Sequence, residues 1–140
     1  MPIPKKRSVR KKTEEKLQIS VCNYLRLQYP HVIFNCDVAS GIRLSIGQAV
    51  TAKKMRSSKG MPDMMILHPH KGFHGLFVEL KKQGTSLYLK DGVTPVSDEH
   101  IREQLAMRDS LNALGYKAVI AVGFDQAKEA IDEYFTPHTP

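Results

Sequence analysis

Apolar residues recur along the chain with two different periods, and the switches between them mark out its elements. From Thr13 the spacing is helical: Thr13 can cap, Glu14 and Glu15 suit the first turn, and Leu17, Val21, Tyr24, Leu25 and Gln28 share a face until Pro30 forbids continuation. This predicts a helix over 14–28. A short strand is expected at 32–35, and Ser40-Gly41 opens a loop into a basic, part-helical stretch at 45–55. Two β-segments, 63–67 and 76–80, are joined by the turn-like His68-Pro69-His70-Lys71-Gly72. The polar stretch 83–96, with Gly84, Gly92 and Pro95, reads as loop. Ser97 is then placed to cap an amphipathic helix whose apolar face carries Ile101, Leu105, Met107, Leu111 and Leu114, with Gly115 as its stop. The continuous apolar run 118–122 reads as a central strand, and 127–134 as a last helix. The order α, β, (α), β, β, α, β, α predicts an α/β fold, a central mixed sheet flanked by helices.

Length and composition narrow the class. One hundred and forty residues, 41% hydrophobic and 25% charged, make one ordinary folded domain. No apolar run approaches the roughly 18 residues that cross a bilayer, and no secretory signal is present, so no membrane role and a cytoplasmic location are expected. Cys22 and Cys36 are expected as free, buried thiols of a reducing compartment, with a disulfide as the lesser alternative. The net charge of +7 favours a polyanionic partner, nucleic acid first. That charge is uneven: residues 1–12 hold six basic groups and no acid, 13–90 eleven basic and five acidic, 91–140 four basic and nine acidic. Residues 1–12 therefore read as a flexible basic arm, a solvated tail or a phosphate-gripping segment in preference to a nuclear-import signal in a eukaryotic setting, and 137–140 as a tail. Within the body, Arg43, Lys53, Lys54, Arg56 and Lys59 precede Asp63 with no acid among them, and are candidates for gripping phosphates without reading sequence.

The candidate chemistry lies in the hairpin. If its turn centres on Lys71, Asp63 falls directly across from Glu79, with Cβ atoms about 5 Å apart. Strand alternation puts Glu79 and Lys81 on one face and Val78 and Leu80 on the other; a slip of one residue would reverse this. Two facing carboxylates repel unless a cation lies between them or one takes a proton. Hard oxygen donors without Cys or clustered His favour Mg²⁺ or Mn²⁺. Such an ion suits phosphodiester hydrolysis, with Lys81 orienting water or offsetting developing charge. His68, His70 and His74 lie in or beside the turn with no Cys nearby, and read as exposed turn residues rather than as a zinc site.

Pro62-Asp63 followed by Glu79-Leu80-Lys81 resembles the signature of the PD-(D/E)XK nuclease superfamily, whose core is restriction-endonuclease-like (αβββαβα). With Glu14-Glu15-Lys16-Leu17-Gln18, Gly60-Met61-Pro62-Asp63, and Gln104 followed by Met107, Leu111 and Gly115, the likeness narrows to the VRR-NUC family, virus-type replication-repair nucleases. It runs from about Glu14 to Tyr134 and makes 13–136 a single nuclease domain of the stand-alone, phage-type form. The resemblance implies a metal held by Asp63, Glu79, the Leu80 carbonyl and Glu14, with Glu15 as the rival helix-one acid. It makes Lys81 the catalytic lysine, Gln18 a supporting residue one helical turn after Glu14, and Gln104 an approach from the second main helix. It departs from the family in the long stretch 83–96.

The resemblance further implies DNA as substrate, branched and four-way-junction DNA foremost, in replication, recombination or repair inside an infected bacterial host. It implies no small-molecule organic cofactor. Symmetric resolution of a junction needs two cuts, so a homodimer is expected. The alternatives are a general or restriction-like duplex nuclease, or a non-catalytic DNA-binding protein indifferent to loss of the Asp63 carboxylate.

Overall fold

In the computed structural model the chain forms α1 (Lys6–Gln28), β1 (Phe34–Cys36), α2 (Ile46–Lys54), β2 (Met64–Ile66), β3 (Leu76–Lys81), α3 (Glu99–Ala113), β4 (Lys117–Val122) and α4 (Gly123–Phe135). The structure describes residues 6–37 and 44–137, with side chains from Thr13 onward. The sheet order is β1-β2-β3-β4; the first three strands are antiparallel neighbours, and β4 returns parallel to β3 after the crossover through α3. This is the mixed sheet with flanking helices that the hydrophobic pattern predicts.

The tight turn between β2 and β3 bridges His70 with Phe73, one residue out of step with the ladder of the strands themselves. Lys71 adopts a left-handed φ of 52° and Gly72 one of 82°, and the strands pair Met64 with Val78, Met65 with Phe77 and Ile66 with Leu76. Asp63 stands one step beyond this ladder, opposite Glu79. Alternation along β3 then divides two cores. Leu76, Val78 and Leu80 pack, with Met64 and Ile66, against Val21 and Leu25 of α1 and Ala127, Ile131 and Tyr134 of α4. On the other face Phe77 meets Leu111 of α3 and Ala118 of β4, with Met65, Met107 and Tyr116 around them. Full burial of each such side chain contributes about 1.5–3 kcal/mol.

Several boundaries differ from expectation, each for a physical reason. The first helix begins at Lys6, so residues 6–12, expected as arm, are helical; an established downstream helix propagates at little cost per residue. Residues 1–5 lie outside the described residues, as does the tail after Pro137. Gln28 is exposed, and Cys22 takes the buried place beside Val21 and Leu25. The first strand is displaced to Phe34–Cys36. Asp98, not Ser97, caps α3, its carboxylate accepting from the Ile101 amide at 3.2 Å. Leu114 is exposed beyond the helix end.

The strand expected to be central, β4, is at the sheet edge. Its apolar run reflects cover on both faces, Ala118 in one core and Ala121 in the other, a condition that does not require a neighbour on each side. Its open edge is partly capped by Asn112, whose side chain accepts from the Ala118 amide at 2.8 Å and donates to its carbonyl at 3.3 Å.

Candidate active site

Along the α3-facing side of β3 the side chains run Phe77, Glu79, Lys81, so this face of the strand passes from core to carboxylate to ammonium within five residues. Asp63 and Glu79 are the buried charged residues among those described, 7% and 5% exposed. They are interlocked. The Asp63 amide donates to Glu79 Oε2 at 3.1 Å, and the Leu80 amide donates to Asp63 Oδ2 at 2.9 Å. Lys81 Nζ stands 3.8 Å from Glu79 Oε1. Burial, and after it the negative Asp63 close by, push the Glu79 carboxyl up to about 9; the Lys81 ammonium opposes this without cancelling it.

Two further elements close on the pair. Gln104, on the first half of α3, donates from Nε2 to Glu79 Oε1 at 2.7 Å. Its approach depends on Gly60, at a φ of 82°, where an added Cβ would stand 2.8 Å from the Glu103 carbonyl oxygen. From α1, Glu14 and Gln18 reach the same place, one turn apart on one face. Together with Leu17 and Leu80 these residues line a cleft of about 150 Å³. Every side chain expected at the catalytic site therefore lines one cleft. Between the two helix-one acids, Glu14 is half-buried in this wall and Glu15 is exposed away from it.

The donor set fits a hard divalent cation. Two buried carboxylates lie side by side, and the Oε1 of Gln104 is buried without a hydrogen-bond partner. The Lys81 ammonium offsets only part of the negative charge of such a cluster of acceptors. Among the described residues no three His, Cys, Asp or Glu side chains converge as a ready-made shell. A cation here would take two carboxylates and complete its shell with the Leu80 carbonyl and water, as suits Mg²⁺ or Mn²⁺.

The basic residues fare unevenly. Lys53 and Lys54 are exposed in the last turn of α2, itself started by a capping box between Ser45 and Gln48 and burying none of its residues. Arg56 and Lys59 meet acids that their local sequence does not contain: Arg56 pairs with Asp37 at 3.0 Å, and Lys59 stands 3.9 Å from Glu103. Arg43 lies outside the described residues. Lys53, Arg56 and Lys59 line a second, wider cleft of about 540 Å³ with Gly60, His100 and Glu103.

Two features escaped sequence reading. Cys22 and Cys36, both free, are hydrogen-bonded neighbours: that bond draws the Cys22 thiol down to about 7 against the effect of burial, while the same bond and burial push Cys36 up. No spacing rule pairs a helix residue with a strand residue fourteen positions on. Residues 83–96 are also structured, with Tyr88 bridging Pro95. Elsewhere His68 and His70 pack their rings on Phe135, at 5.4 and 6.3 Å between centroids. Among the described residues no helix is long and apolar enough to cross a membrane.

Comparison with protein-family models finds none that matches, and comparison with curated proteins finds none either. Among solved structures the chain is similar to one described as a VRR_NUC domain protein, at a TM-score of 0.62 and 25% identity, over 88% of each chain.

Proposed function

The chain belongs to the VRR-NUC family, and from that premise we propose that it is a Mg²⁺- or Mn²⁺-dependent endonuclease that hydrolyses phosphodiester bonds of branched DNA, four-way junctions foremost. The observation that carries this reading is the single cleft in which Asp63, Glu79, Lys81, Gln104, Glu14 and Gln18 meet. When bound, the divalent cation supplies Lewis-acid stabilisation of the charge that develops on the phosphate.

The chain's own residues do the rest. Asp63 and Glu79 would hold the cation, with the Leu80 carbonyl beside them and Glu14 on the α1 side of the cleft. Lys81, half-buried at the end of β3, offsets negative charge and orients the attacking water. Gln104 restrains the Glu79 carboxylate through its 2.7 Å hydrogen bond, and Gln18 supports the α1 side of the cleft. Lys53, Lys54 and the rest of the basic wall grip the phosphodiester backbone beyond the cut, which gives affinity without sequence preference. Two symmetric cuts require two copies of this one cleft, hence a homodimer.

The test is cleavage of a labelled four-way junction beside a linear duplex of the same sequence, with Mg²⁺, Mn²⁺ or EDTA. The expected result is junction-selective cutting that EDTA abolishes and that Asp63→Asn reduces roughly 100-fold or more, the equivalent of about 2.7 kcal/mol of barrier. Equal cutting of both DNAs would move the function to general degradation, and binding without cutting would leave only the charged surface.

A further inference from the structure

The segment between Lys81 and α3 is polar in sequence and ordered in structure. Its strands are tied by Leu89 N to Thr94 O at 2.8 Å and Val96 N to Leu87 O at 3.0 Å, making a small hairpin over 87–96. The Asp91 carboxylate locks the tip by accepting from the Val93 and Thr94 amides, each at 2.9 Å. The base is pinned to α3: Arg108 Nη1 donates to the Tyr88 hydroxyl at 3.1 Å, and Arg102 Nε donates to the Val96 carbonyl at 3.0 Å.

This construction presents apolar side chains to water. Leu89 is 53% exposed and Val93 77% exposed, on either side of a turn whose geometry the Asp91 carboxylate fixes. Isolated exposed apolar residues are common. Two of them held at the tip of a pinned hairpin that leaves the catalytic strand are a different matter, because the hairpin's position relative to the cleft is set at both ends. At one end the chain leaves Lys81 directly; at the other, Arg108 lies one helical turn along α3 from Gln104, on the same face. The flanking charge is positive: Lys81, Lys82 and Lys90 occur with no acid between them, and the one acid of the tip, Asp91, is spent on the turn. A polyanion with apolar faces to offer matches such a surface, and a DNA branch point, where the continuous stack of base pairs is interrupted, offers them at least cost.

Resting on the nuclease reading above, we infer that the 87–96 hairpin is a branch-recognition wedge: Leu89 and Val93 stack against or part the bases at the branch point while Lys82 and Lys90 hold the adjoining phosphates. The wedge selects branched over continuous DNA, because in a continuous duplex the same insertion must first pay the full unstacking of a base step, a few kcal/mol.

The test uses a four-way junction carrying 2-aminopurine at the branch, titrated with full-length Asp63→Asn protein so that nothing is cut. A rise in fluorescence is expected on binding, and it should fall to about a fifth or less when Leu89→Ser and Val93→Ser are added. Both positions are exposed, so the fold is retained; Leu89→Met with Val93→Ile should restore the signal. In the nuclease-competent background the double serine variant should cut the intact junction about 10-fold more slowly, yet cut a junction with preformed unpaired bases at the branch within about 2-fold of wild type. An unchanged fluorescence response, or equal slowing on both junctions, overturns the wedge. Loss of dimerisation in the serine variant with the fluorescence response intact also overturns it, assigning the hairpin to contact between copies. The nuclease reading fails separately, by wild-type protein that does not cut while the fluorescence response still reports on the hairpin.

Discussion

Glu79 is the residue at which burial and charge conflict most. Its carboxyl has an ordinary value of 4.5 and is pushed up to about 9 by burial and by Asp63. The folded state thus binds this proton more tightly than the unfolded chain does. Its contribution is fully present below about 4.5 and is lost as pH rises through about 9. Metal-free protein should accordingly lose stability across that window, and Glu79→Gln, which keeps the shape and removes the charge, should flatten the profile. At pH 8 the variant should melt higher than wild type by roughly 3 °C or more, about 1 kcal/mol for a domain this size. Thermal unfolding followed by circular dichroism from pH 5 to 9 reads both. Millimolar Mn²⁺ should reverse the order, raising the wild-type midpoint by several degrees and leaving Glu79→Gln nearly unmoved; equal shifts in both proteins would remove Glu79 from the metal site. At this scale the facing of Asp63 and Glu79 follows from a strand pairing centred on residue 71, although the tight turn itself, bridging His70 and Phe73, is one residue out of that register.

Among the elements, α3 decides the geometry of the site. It leaves Asp98 capped, crosses from β3 to β4, and brings Gln104 onto Glu79 only because residue 60 has no Cβ. Gly60→Ala meets two penalties, a left-handed φ and a 2.8 Å contact with backbone that cannot rotate away. It should cost about 2 kcal/mol in urea unfolding, and it should slow cleavage by more than that stability loss explains, since Gln104 is displaced with its helix. Leu25→Ala is the contrasting case. Leu25 is fully buried far along α1 from Glu14, so its loss should cost about 2–5 kcal/mol while cleavage by the folded fraction is retained. Helix and strand positions were mostly legible from periodicity. Their ends were not, since Asp98 and Ser97 can each cap and only packing chooses between them.

For the whole molecule the question is where its net charge of +7 acts. Lys53 and Lys54 are exposed on a helix that buries nothing, whereas Arg56 and Lys59 already face acids. Replacing Lys53 and Lys54 with Ala should weaken DNA binding on all sequences alike and lower the slope of log K against log salt by roughly 2. The corresponding change at Arg56 and Lys59 should lower it less, because those charges are partly neutralised before DNA arrives. Titration by fluorescence anisotropy from 50 to 300 mM salt reads each slope.

The sequence by itself determined the order of elements and the sharing of one strand face by Glu79 and Lys81, because periodicity and strand alternation act over a few residues at a time; the register that sets Asp63 opposite Glu79 was fixed by the folded sheet, one residue out of step with its turn. Tertiary structure decided what depends on distant segments arriving at one point. It chose Glu14 over Glu15 at the cleft, put β4 at the edge rather than the centre, set Asp37 against Arg56 and Cys22 against Cys36, and turned a polar stretch into a pinned hairpin with an apolar tip. No local pattern encodes these, since each depends on a contact between segments that lie apart in sequence.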